Sequence, residues 1–321
     1  MFYYKSIFLR VWIGACLGVA ITAKSQPCCG NPTLCSNGEN ILNFTTLAAR
    51  KWVADINTDF TNLVSNTNFV HNNHSHTHSH HNHSHNHSSN VAQPAHTQLE
   101  SVLLTTLQAR YGLHDKLTLH AQVPFWVAIA SDKHAPTFGD VALLASYKVL
   151  QNEKYGIGAT IGLELPTGSS YIVFESNYLI TGSGSFDPLA GISLWFSYKK
   201  WLTRIQTQYR QGMKGFDGIR FGSTLNTQSL VAYSILQNEQ KMLRLNLNTG
   251  LNQDWNEAHR VNNQSLDNTG GFILWYHVGA QVQYKKWLFP ISFQIPIYTW
   301  LQGMQNEPYW RIRTGLTLFL K

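Results

Sequence analysis

An all-β, transmembrane, antiparallel up-and-down β-barrel of about twelve strands is the fold class this sequence predicts. Three observations predict it. Apolar and polar residues alternate through most of the chain. The connections between alternating segments are by turns short and long. Beyond residue 25, no apolar run approaches the roughly 20 residues that a membrane helix needs.

The chain opens MFYYKSIFLRVWIGACLGVAITAKSQ. Lys5 and Arg10 precede an apolar run from Val11 to Ala23, and Ala23-Lys24-Ser25 offers small residues to a signal peptidase. Residues 1–25 are therefore expected to be a secretory signal, cleaved before Gln26. Residues 26–40 are expected to form a periplasmic tail. It carries Cys28, Cys29 and Cys35 in CCGNPTLC, an odd number for an exported protein. Soft thiolates suit Cu(I) or zinc, and a disulfide within the tail is the rival reading.

The barrel is assigned to 41–321. Its predicted strands lie near 41–52, 99–112, 116–127, 139–150, 155–166, 186–199, 201–212, 225–237, 241–252, 271–284, 286–297 and 309–320. In LTLHAQVPF, for example, Leu117, Leu119, Ala121, Val123 and Phe125 alternate with Thr118, His120, Gln122 and Pro124. Side chains on a strand point to opposite faces in turn, so each segment has one greasy and one polar face. LHD, QNEK, KKW, QNEQ and a second KKW make short turns. The stretches 53–98, 128–138, 167–185, 213–224, 253–270 and 298–308 make long ones. Sorting of this kind, with an even strand count, describes a bacterial outer-membrane barrel. Trp126, Trp195, Trp201, Trp255, Trp287, Trp300 and Trp310 fall near predicted strand ends, where interfacial girdles form. Pro124, Pro166, Pro290 and Pro296 sit awkwardly in strands and point to strand ends or bulges.

The runs YGLHDKLTLHAQVPF, FGDVALLASYKVL and GLELPTG, in that order, resemble the outer-membrane barrel "transporter" family named after the meta-pathway of phenol degradation. The resemblance covers about residues 99–200, and the strand rhythm continues to Lys321. It implies a monomeric-type barrel, distantly related to channels for hydrophobic compounds. It also implies passage of small solutes and no catalytic residues.

The polar phase of the strands assigns His120, Gln122, Glu164, Arg204, Gln206, Gln208, Arg210, Arg244, Asn246, Asn248, His277, Gln281, Gln283, Gln294, Arg311 and Arg313 to the lumen. On this reading the lumen holds amides and several arginines with few acids. It is either a plug of hydrogen-bonded side chains or a narrow pore for anions or uncharged polar solutes. Lys and Arg (24) exceed Asp and Glu (17) as scattered residues. There is no basic block, so no nucleic-acid partner is expected.

Nine of the fifteen histidines crowd one tract: His71, His74, His76, His78, His80, His81, His83, His85 and His87. With the first strand placed at 41–52, segment 53–98 is the first long loop and faces the medium. Neutral imidazole binds zinc, copper or nickel. The repeated His-x-His spacing therefore predicts a weak, unselective metal sponge outside the cell, with no cofactor required. An imidazole titrates near pH 6.5, so mild acid would discharge the metal.

Three functions follow. The first is an outer-membrane channel for a small solute, linked to transition-metal handling through the loop. The second is a surface protein whose barrel anchors a metal-sequestering loop. The third is a membrane-embedded lipid-modifying enzyme. The last needs a Ser and a His within hydrogen-bond reach. His120 and His277 are available, but no local signature singles out a pair, so the sequence is expected not to be an enzyme.

Overall fold

A computed structural model of the chain describes residues 46–64, 99–130, 133–168, 172–174, 177–179, 182–216, 218–303 and 305–320. The signal segment, the cysteines and the histidine tract lie outside the described residues.

Twelve antiparallel strands form the wall: β1 (Trp52–Val64), β2 (Ser101–His114), β3 (Leu117–Ala130), β4 (Val141–Gln151), β5 (Tyr155–Leu165), β6 (Asp187–Tyr198), β7 (Trp201–Arg210), β8 (Thr224–Asn238), β9 (Leu243–Asn256), β10 (Gly271–Tyr284), β11 (Trp287–Leu301) and β12 (Glu307–Leu320). Each pairs with its neighbours in sequence, and β1 pairs with β12 from Trp52↔Leu320 to Val64↔Glu307, which closes the ring. Closure satisfies the backbone polar groups of every strand without water, the condition for crossing hydrocarbon.

The distribution of polarity is the reverse of a soluble protein's. Ile161 is 68% exposed and Phe289 47%, whereas His277, Gln281 and Gln294 are 0% exposed. Outward positions alternate with inward ones along each strand, as in Leu119, Ala121 and Val123 against Thr118, Gln122 and Pro124. Such a surface is stable only against lipid. Turns at one end are short, at 115–116, 199–200 and 285–286, while the opposite end carries the long connections. The short-turn end is the periplasmic one in barrels of this kind. Lys199 (φ 54°) and Lys285 (φ 52°) open the two YKKW turns, each with its ammonium over the preceding tyrosine ring.

Prolines mark where pairing changes. The β3–β4 ladder ends at Gln122↔Ala142, just before Pro124, and upper β3 pairs instead with a short strand at Lys133–Phe138. The β10–β11 ladder bulges beside Pro296. Pairing of β11 with β12 stops at Gln294↔Arg311. Proline has no N–H to give a ladder, so it is confined to such places.

Two expectations need correction. The first strand lies at 52–64 rather than 41–52, so the connection after it starts at residue 65 rather than 53. Its inward residues are Val53, Asp55, Asn57 and Asp59, and two carboxylates in eight residues look like a loop until their partners are known. The girdle is also smaller than expected. Trp52 and Trp201 are exposed at the short-turn end, but Trp126 is buried inside, and Trp195 lies against Gly156 on the inner face.

Candidate functional site

The barrel interior holds most of the buried polar side chains, and strand alternation puts them there. Of the residues assigned to the lumen, Gln122, Glu164, Arg204, Gln208, Arg210, Asn246, Asn248, His277, Gln281, Gln294, Arg311 and Arg313 are buried on the inner face. His120 and Gln206 line a cavity toward the short-turn end, and Arg244 is half-buried opposite Gln283 near the same end.

The expected excess of arginine over acid is not found. Among the described residues, five arginines are buried against six carboxylates. Asp55 receives two bonds from Arg110, at 2.8 and 3.0 Å, and a third from Thr317 Oγ1 at 2.6 Å. Asp59 receives Arg313 in the same two-pronged way, at 2.8 and 3.0 Å. Arg210 donates to Asp187, lies 3.6 Å from Glu164, and also donates to the Gly222 carbonyl. Arg311 stacks 4.0 Å above the Trp275 ring and lies 3.6 Å from Asp254, which accepts the Trp275 indole N–H at 2.8 Å. Arg204 donates to Gln228. Bidentate pairing of this kind is strong where water is excluded, and it leaves little net field behind.

Asp55, Asp59, Asp187 and Asp254 are the functional residues that sequence reasoning missed. Three of them fall outside the predicted strands: Asp55 and Asp59 follow residue 52, and Asp254 follows residue 252. Their signal was alternation itself, read a few residues further along.

A cavity of about 90 Å³, enough for a few waters, is lined by Gln108, Arg110, His120, Ser146, Lys148 and Gln206 among others. At the long-loop end the connections fold onto the interior charges. The Met213 N–H donates to Asp187 at 2.9 Å, and the Gly222 N–H donates to His259 Nδ1 at 3.0 Å. Gly222 is required there, since a Cβ would fall 1.7 Å from the Glu257 carbonyl oxygen. His259 packs edge-on to Phe221 and is pushed down to about 4, first by burial and then by the charge of Arg210. Thus loop groups cover the interior charges at the long-loop end, and buried carboxylates face the buried arginines between the ends.

Comparison with known proteins gives likeness of fold only. No family model matches the chain, and no curated protein matches its sequence. Among solved structures, the COG4313 outer membrane channel from Pseudomonas putida F1 is similar with a TM-score of 0.60 at 15% identity. That alignment covers 87% of this chain and 98% of the other. LpxR from Salmonella typhimurium, a lipid-modifying enzyme barrel, has a TM-score of 0.43 at 9% identity over 84% of this chain and 100% of its own. The β domain of the Bordetella autotransporter BrkA has 0.43 at 8% identity over 85% and 99%. The expectation that the chain is no enzyme does not stand, since likeness of fold excludes no activity. The inside-out burial and the likeness in fold to the Pseudomonas putida channel together make the chain an outer-membrane β-barrel of twelve strands, lodged in lipid.

Proposed function

We propose that the barrel is a passive channel for a small solute and that the histidine tract binds transition metals. The observation that carries the channel reading is a polar interior running from one mouth to the other inside an apolar wall. A barrel serving only as an anchor could be filled with apolar side chains at lower cost in desolvation. Likeness to an outer-membrane channel supports the same reading. The metal reading rests on residue chemistry, because repeated His-x-His units place several imidazoles within reach of one ion.

The test reconstitutes the full mature chain and a variant lacking residues 71–90. Liposome swelling should report uptake of small solutes by both. Calorimetric titration with zinc, copper and nickel at neutral pH should give binding to the first that is largely lost in the second, which keeps only the thiols of Cys28, Cys29 and Cys35. Metal binding without any uptake would leave the second function, a surface protein whose barrel anchors a metal-sequestering loop.

A further inference from the structure

We propose that the permeant class is uncharged, hydrogen-bonding solutes, and that the carboxylates Asp55, Asp59, Asp187 and Asp254 set this selectivity by cancelling the interior arginines. The inference rests on the channel reading. Its first support is the pairing already described, in which Arg110, Arg313, Arg210 and Arg311 each meet at least one carboxylate. An ion entering this interior would either break such a pair or lose its hydration with no opposite charge to meet. Both are costly where water is scarce.

The second support is independent. One stretch of wall offers polar atoms that no protein group satisfies. Asn252 has neither side-chain polar atom bonded, and Asn248 Oδ1 and Ser292 Oγ are likewise unpartnered. All three residues are at least nine-tenths buried. Asn248 and Ser292 are the register partners of Gly279 on its two sides. A Cβ at Gly279 would fall 2.8 Å from Asn248 Oδ1 and 2.9 Å from the Ser292 Cβ. The glycine therefore leaves the amide and the hydroxyl uncovered, where any side chain at 279 would be jammed against them. Buried polar groups left unpaired are expensive unless something visits them. Neutral solutes carrying hydroxyl or amide groups replace their own hydration there, and an ion does not.

The experiment uses the full mature chain in proteoliposomes and planar bilayers, with heat-modifiable gel migration to report folding. The wild type should admit glycerol and urea and show no preference between potassium and chloride. Asp59→Asn should expose Arg313 and raise the chloride-to-potassium permeability ratio by about threefold or more. Arg313→Gln should shift the ratio the opposite way, and the double variant should return it. Asn248→Leu, nearly the same shape, should slow glycerol uptake severalfold and leave the ion ratio alone. Uptake combined with a clear ion preference in the wild type would overturn this inference while sparing the channel reading. No uptake of any solute would overturn both. Folded single variants with unchanged ratios would also overturn it, and if neither single variant folds, Asn248→Leu decides.

Discussion

At the scale of the residue, His259 shows how closely the outer end is tied down. Its Nδ1 accepts the Gly222 N–H, so it must be the neutral ring that sits there. Burial and Arg210 hold it neutral down to about pH 4, whereas an unfolded histidine titrates near 6.5. The unfolded chain therefore binds the extra proton first as pH falls. The stabilising effect is complete above pH 6.5 and is lost progressively toward pH 4. Protease cleavage within 211–223 should accelerate across that window in the wild type. In His259→Gln it should be nearly flat with pH. A wild-type rate without pH dependence would refute the assignment. Residues of this sort are illegible in sequence, because nothing in EAHRV reveals that His259 is buried where the charge of an arginine 49 positions earlier acts on it. The lumen residues were legible for the opposite reason. Gln122 and Gln208 declare their face through a period of two that needs no knowledge of partners.

The same contrast holds for elements. Strands such as β5 and β10 were found nearly to the residue because their outward positions are uniformly apolar. Strand β1 was displaced because its inward phase carries Asp55 and Asp59, whose neutralising arginines sit on β2 and β12. Local pattern cannot show a charge that is cancelled 55 or 254 residues away. Close strand contact is also carried by small residues. Gly250 on β9 leaves no room for a side chain, since a Cβ would meet the Ser229 carbonyl oxygen at 1.9 Å and His277 Cε1 at 2.8 Å. Gly250→Val should push β8 from β9 and cost about 3 kcal/mol. Urea unfolding in detergent micelles, followed by tryptophan fluorescence, would measure it, and an unchanged midpoint would show that the ladder there is slack.

For the whole molecule, the sorting of turns fixes orientation. Asn262 and Asn263 (φ 51° and 66°) form the tip of a small hairpin standing beyond β9. An epitope inserted between them should be labelled on intact cells. The same epitope inserted between Glu239 and Gln240, in the turn after β8, should be labelled only after the outer membrane is permeabilised. The reverse pattern would invert the sidedness of the barrel.

The seam where β12 meets β1 has a consequence for assembly. Two of its inward contacts, Asp59 with Arg313 and Asp55 with Thr317, join residues more than 250 positions apart, so the ring can be stitched only after the whole chain is present. A slip of one position would turn both aspartates toward hydrocarbon. A slip of two would set Asp59 against Gly315 or Arg311 and strand the Arg313 guanidinium. Opposite charges thus work as the tooth and notch of a clasp that fastens in one register.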